Sequence, residues 1–209
     1  MERTTKRRPG PYEHAPRLPE TKEGELLDIR TLGTGREVEL EVGPGPKAGF
    51  LLERAASAPE NLLVGLEIRR KWATVGDERL AKQGHRARAR VFCEDARLAL
   101  PRLGPSACLA RVFLHFPDPW WKKRHQKRLV MGDVFLDEVA RLLRDGGELF
   151  VQTDVEERAE LYANVIAAHA SFVGARVEDN PYGARSPREH RAIADGLPVY
   201  RMLFHRRDR

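Results

Sequence analysis

Cysteine is scarce in this chain. Only Cys93 and Cys108 occur in 209 residues, and each lies in an apolar run rather than in a CxxC pair or a Cys/His array. That excludes a disulfide framework and a thiolate metal site, and no other metal site is expected. Two buried, reduced thiols in a cytoplasmic protein are expected instead. Long apolar runs are missing too. None approaches the roughly eighteen residues of a membrane-spanning helix, so no membrane partner is expected. The opening Met1-Glu2-Arg3-Thr4-Thr5-Lys6-Arg7-Arg8 has no apolar segment behind it and does not read as a secretory signal. There is no internal repeat. With 41% hydrophobic and 33% charged residues, the chain fits one ordinary domain with a substantial core and a highly charged surface.

Acid is in the minority, with a formal net charge of +6, and the excess base is unevenly spread. It gathers in the first eight residues, in Arg69-Arg70-Lys71, in Lys122-Lys123-Arg124-His125-Gln126-Lys127-Arg128 and at the C-terminus. A basic run is often only a solvated face. Several separate runs with Trp inside or beside them favour a polyanionic partner, and nucleic acid is the first choice.

The first 25 residues or so read as a basic, flexible arm, punctuated by Pro9, Pro11, Pro16 and Pro19, with too little apolar surface to offset ordering entropy. Residues 26–209 read as a single domain. Glu37-Val38-Glu39-Leu40-Glu41-Val42 is a short alternating strand, cut off by Gly43-Pro44-Gly45-Pro46. A helix is expected over 47–57, a strand buried on both faces over 61–68, and a charged helix over 69–83 ended by Gly84. Strands over 88–93 and 107–116 follow. Phe135, Val139, Leu142 and Leu143 share a helical face that Gly146-Gly147 should stop. Residues 149–151 form a strand, 156–170 a helix and 199–204 a last strand. Residues 180–198, broken by Pro181, Gly183, Pro187 and Gly196, read as a long loop before an antiparallel ending. The alternation implies an α/β fold with a parallel sheet covered by helices on both faces.

In such a sheet, ligands bind beyond the carboxyl ends of the strands. Each of those ends carries an acid: Glu41 before Gly43 and Gly45, then Glu67, Glu94-Asp95, Asp118 and Asp154. Acids there also serve as helix caps. The glycine pair permits close backbone approach to a ligand, although a plain turn uses the same residues. Glu67 sits where nucleotide-binding sheets place an acid for the ribose hydroxyls. Glu41 could face a methionyl sulfonium, whereas it would repel a pyrophosphate. Asp95 suits an adenine amino group or a helix N-cap equally. The most informative stretch is Phe116-Pro117-Asp118-Pro119-Trp120-Trp121 with the basic run after it. Two prolines fix the backbone around Asp118, Trp120 and Trp121 offer stacking surfaces unless they are core, and the cations can hold phosphate. A carboxylate that accepts from guanine's Watson–Crick edge leaves N7 exposed on the opposite edge. Methylating N7 is then mainly an orientation task.

FPDPWWKKRHQKRLV, together with EVGPG, GLEIRRKW, Asp95 and Thr153-Asp154, resembles the bacterial tRNA (guanine-N7-)-methyltransferases over about residues 37 to 206. The resemblance implies a Rossmann-like, seven-stranded methyltransferase sheet with its last strand antiparallel. It implies methyl transfer from S-adenosylmethionine to the guanine at position 46 of the tRNA variable loop. By position, Glu41, Glu67, Asp95 and Asp118 match the family's cofactor contacts, with Gly43 and Gly45 in the cofactor turn. Asp118 also matches the catalytic position. Lys122 and Asp154 match residues assigned to tRNA, as do Ser186, Arg188 and Glu189, where Arg188 replaces the family's aromatic. A second departure is that Pro46-Lys47-Ala48 intervene before the third glycine, Gly49. Two other classes stay open on the residues: a non-catalytic RNA-binding protein on a methyltransferase scaffold, and a small-molecule methyltransferase or NAD enzyme.

Overall fold

The computed structural model describes residues 12–117 and 131–209. Among these, seven strands form one sheet: β1 (Val38–Val42), β2 (Leu62–Leu66), β3 (Ala89–Phe92), β4 (Leu109–His115), β5 (Leu143–Thr153), β6 (Phe172–Val177) and β7 (Tyr200–Arg206). Their spatial order is β3-β2-β1-β4-β5-β7-β6. β1 to β5 are parallel, and β7 runs antiparallel to β5 and β6. The helices are α1 (Gly49–Ser57), α2 (Arg70–Lys82), α3 (Ala96–Ala99), α4 (Asp133–Leu142), α5 (Glu156–Ala168) and α6 (Pro187–Ala194). The chain builds outward from β1 to β3, then returns to lay β4 on the other side of β1. That reversal opens a crevice at the carboxyl ends of β1 and β4.

Alternation along each strand sorts the side chains between two cores. Leu40, Val42, Val64, Leu66, Val112, Leu114 and Val151 face α4 and α5, packing with Phe135, Val139, Ala159 and Ile166. On the other face, Leu63, Val91, Phe113 and Phe150 pack with Phe50 and Leu51 of α1, Ala73 and Leu80 of α2, and Tyr182. The alternation of β1 does not mark a wet face, because Glu39 and Glu41 are both 1% exposed. Glu39 is held by a buried network. It accepts from Arg54 Nε and Nη2, each at 2.7 Å, from Asn61 Nδ2 at 2.8 Å and from Arg111 Nη1 at 2.9 Å.

The structure corrects the sequence reading in four places. Leu143 leaves the helix with extended dihedrals (φ −65°, ψ 136°) and opens β5. Gly146, at φ 70°, therefore serves an irregularity within the β4–β5 pairing rather than the helix stop. β6 was not read as a strand from its pattern, because Gly174, Ala175 and Arg176 give it no apolar alternation. Its Gly174 is required, since a Cβ there would lie 2.2 Å from the Leu203 carbonyl oxygen. The expected loop over 180–198 contains α6, whose start carries Ser186 as N-cap and Pro187 in the first turn. Finally, part of the stretch expected as an arm is docked. Ala15 and Leu18 are buried, and Cys93 N donates to Pro16 O at 2.6 Å. Two apolar side chains entering the cores, this backbone bond and the bonds of Arg17 and Leu18 to Glu94 fix this short piece.

Both cysteines are free thiols, and burial pushes the Cys108 thiol up to about 11. No helix among the described residues is long and apolar enough to cross a membrane.

Candidate active site

The glycine turn and Glu67 are built as one unit. Gly43 and Gly45 take φ of 73° and 70°, which an L side chain adopts only with strain. A Cβ on either would meet nothing within 4 Å, so both glycines border open space. Glu67, at the end of β2, reaches across to this turn: its Oε2 accepts from Gly45 N at 3.1 Å and its Oε1 from Arg69 N at 2.8 Å. Burial raises its carboxyl above the ordinary 4.5, against the opposing pull of those two N–H groups. The acid is thus fixed in place beside the turn.

The residues inserted before Gly49 are absorbed locally. Pro46–Ala48 form a single 3₁₀ turn in which Lys47 and Ala48 adopt positive φ of 73° and 46°. Arg79 Nη1 braces the Lys47 carbonyl at 3.3 Å, and Gly76 of α2 leaves room for the Ala48 methyl. α1 therefore begins at Gly49, not at Lys47.

At the end of β3, Asp95 is the N-cap of α3, accepting from Arg97 N at 3.0 Å, and it also pairs with the Arg97 guanidinium. The Arg97 hydrogen bond holds its carboxyl below the usual range. Capping and an adenine contact use different lone pairs of one carboxylate, so the first does not preclude the second. Its neighbour Glu94, the other acid at this strand end, turns inward. It is buried and takes Leu18 N at 3.2 Å and Arg17 Nε at 3.0 Å, tying residues 17 and 18 to this edge.

Asp154 and Arg188 meet at the far side of the crevice. Arg188 Nε donates to Asp154 Oδ2 at 3.0 Å, which brings together two of the positions matched to tRNA. Ser186 and Glu189 have internal work. Ser186 Oγ accepts from Glu189 N at 3.1 Å, and Glu189, wholly buried, accepts from Arg201 Nη2 and Asn180 Nδ2, each at 2.9 Å. They position α6 and with it Arg188. The signal was in the sequence: Ser186-Pro187-Arg188-Glu189 has the form of a helix N-terminus. α6 also leans on the cofactor turn. A Cβ on Gly49 would lie 2.4 Å from Pro187 Cγ, and Glu53 of α1 accepts from Arg185 N at 2.8 Å.

Two polar residues that the sequence reading passed over complete the crevice floor. His115 ends β4 and Gln152 lies near the end of β5, where the two pair directly. Each interrupts an apolar strand, which was the available signal. Asp118 and Lys122, with Trp120, Trp121 and the basic run, lie outside the described residues. The segment that bears them leaves β4 at Phe116, whose N–H donates to Gln152 O at 2.8 Å.

A family model described as "Putative methyltransferase" matches residues 36–202. A tRNA (guanine-N(7)-)-methyltransferase of Anaeromyxobacter dehalogenans is 40% identical over 179 residues, covering 80% of this chain and 85% of its own. One from Rhodopirellula baltica is 33% identical over 99% of this chain and 81% of its own. The chain belongs to the bacterial tRNA (guanine-N7-)-methyltransferase family. Among solved structures, the 16S rRNA methyltransferase KamB has the same fold, with a TM-score of 0.60 and 18% identity over 88% of this chain and 95% of that one.

Membership in this methyltransferase family makes the chain an enzyme that uses S-adenosylmethionine, and the crevice fits that molecule. The open space above Gly43 and Gly45 admits a ligand against bare backbone. Glu67 and Asp95 border the same crevice, and a carboxylate there can accept from a hydroxyl or amino group. Glu41 keeps one buried oxygen, Oε2, without a hydrogen-bond partner among the described residues, as a site for a cationic group requires. A pyrophosphate in the same place would meet carboxylates.

Proposed function

We propose that this enzyme transfers methyl from S-adenosylmethionine to N7 of guanine 46 in the variable loop of tRNA, in the cytoplasm. One observation carries the reading. The segment that bears Asp118 leaves the sheet from β4, between the cofactor residues on β1 and β2 and the Asp154–Arg188 pair beyond β5. The crevice beyond β4 therefore has the cofactor residues on one side and a cationic side chain suited to tRNA phosphate on the other.

The donor supplies an electrophilic methyl group on a sulfonium. The chain supplies orientation: Asp118 accepts from the guanine Watson–Crick edge, so that the N7 lone pair faces the methyl carbon. Trp120 and Trp121 offer faces to the base. Lys122 and the following cations, with the basic residues 1–8, hold phosphates. Arg188, steered by Ser186 and Glu189 through α6, adds a contact where the family's aromatic would stand.

The test is chemical mapping of the product. Bulk tRNA methylated by the enzyme is treated with borohydride and aniline, which cuts the strand at N7-methylguanine. Cleavage at a single variable-loop guanine is expected, together with no methyl uptake by a transcript carrying adenine there. Methyl incorporated without an aniline-sensitive site places the methyl on another atom. A cut elsewhere in the tRNA overturns position 46.

A further inference from the structure

His115 ends β4 on the crevice floor, opposite Gln152 of β5. Glu41 pairs with Phe113 across β1 and β4, so His115, two residues on, projects from the same face of the sheet. Its Nδ1 lies 2.8 Å from Glu41 Oε1, and the two side chains are 3% and 2% exposed. An ionised carboxylate offers only lone pairs, so the ring nitrogen supplies the hydrogen of this bond.

Aromatic neighbours hold the imidazole. Phe50 of α1 stands edge-on with ring centroids 4.2 Å apart, Phe113 stacks at 5.7 Å, and Phe150 stands edge-on at 6.1 Å. These three rings surround a buried imidazole. Glu41 Oε2, His115 Nε2 and both polar atoms of the Gln152 side chain are buried without a hydrogen-bond partner among the described residues. Folded chains rarely leave such atoms unpaired, because each costs about 1–3 kcal/mol when desolvated. Four unpaired atoms together, beside open glycines, mark a socket that a polar ligand group completes.

We propose that His115 is a positioning residue for the methyl donor, acting through Glu41. By donating to Oε1, it holds the Glu41 carboxylate in the one rotamer that leaves Oε2 as acceptor for the cationic methionyl end of S-adenosylmethionine. Without that donor, both carboxylate oxygens are unpaired in an apolar surround. The side chain is then free to shift, and the cofactor loses an oriented acceptor. His115 touches neither the transferred methyl nor the base in this arrangement.

The experiment is calorimetric titration of S-adenosylmethionine and S-adenosylhomocysteine into the full-length protein and four variants. These are His115→Phe, which keeps a ring for the aromatic cage, His115→Asn, which keeps a short donor, Glu41→Gln, and the His115→Phe/Glu41→Gln double variant. Loss of one charge-assisted hydrogen bond corresponds to about a tenfold change in affinity. His115→Phe is therefore expected to bind both ligands about tenfold more weakly, with tRNA affinity unchanged, and His115→Asn to recover part of the loss. The double variant should bind no more weakly than Glu41→Gln alone, because His115 works only through that carboxylate. Urea denaturation selects the folded variants, and if His115→Phe does not fold, His115→Asn alone carries the coupling test. Full cofactor affinity in His115→Phe overturns the proposal, as do losses in the double variant that multiply. Wild-type protein that takes up no S-adenosylmethionine refutes the donor assignment itself, a separate failure.

Discussion

Asp118→Ala is expected to lower methyl transfer by about a hundredfold or more, because small misplacements next to reacting atoms are that costly. Guanine N7 is already unprotonated and nucleophilic, so removing the carboxylate takes away alignment and not a base. Asp118→Asn keeps the shape but swaps one acceptor oxygen for a donor that opposes the guanine N–H groups, and it should fail nearly as badly. Affinity for tRNA should change far less in both, since phosphate contacts dominate binding. Single-turnover transfer of labelled methyl, set beside tRNA binding at the same salt, separates the two effects. Full activity in Asp118→Ala would mean that the base is oriented by another loop.

The second large effect is on stability and lies on β1, toward the end remote from the crevice. Glu39→Ala removes the carboxylate shared by Arg54, Asn61 and Arg111. Arg54 is 8% exposed and, among the described residues, keeps the Tyr182 carbonyl at 2.7 Å and that residue's ring, 5.5 Å from the guanidinium. Breaking a buried ion pair from one side costs about 3–5 kcal/mol, since the remaining charge stays desolvated. For a chain of this size that corresponds to a fall in Tm of roughly 6–20 °C. Glu39→Gln, which keeps one acceptor, should lose less. Denaturation in urea gives the free energies, and a Glu39→Ala chain as stable as wild type would remove this network from the account of the fold.

Glu39 also shows how far the sequence could be read. Val38-Glu39-Leu40-Glu41-Val42 signals a strand by its period of two, and the structure has one there. The same period suggests a wet face, and the structure buries both acids because β1 is central, with helices on each side. Alternation reports side-chain direction, whereas burial depends on what packs above, and only the fold supplies that. The strand-end acids were legible because parallel sheets concentrate ligands at one edge. Glu67 is placed on that argument, and its bonds to Gly45 and Arg69 fix it beside the glycine turn. His115 and Gln152 were passed over because the search stopped at carboxylates just past each strand, while these two lie within the last residues of β4 and β5. α6 was missed because Pro187 and Gly196 were read as breakers. A proline in a helix's first turn supports the helix, and Ser186 before it supplies the cap. β6 had no signal of its own. It is an edge strand held by pairing to β7, a tertiary contact that local pattern does not encode.

Whether the strand-end acids form a cradle for S-adenosylmethionine is tested most directly by titration calorimetry on wild type and Glu67→Gln across pH. Wild type should bind S-adenosylmethionine and its demethylated product near neutral pH, and NAD not at all. Ionised, Glu67 accepts from ribose hydroxyls more strongly and on all its lone pairs, and burial raises its carboxyl above 4.5. Affinity should therefore be full above that raised range and fall as the pH drops through it, at a higher pH than an ordinary glutamate would give. Glu67→Gln should bind about tenfold or more weakly at neutral pH and lose that pH step. Binding of NAD without S-adenosylmethionine, or a Glu67→Gln protein with wild-type affinity and an unchanged pH profile, would contradict the account.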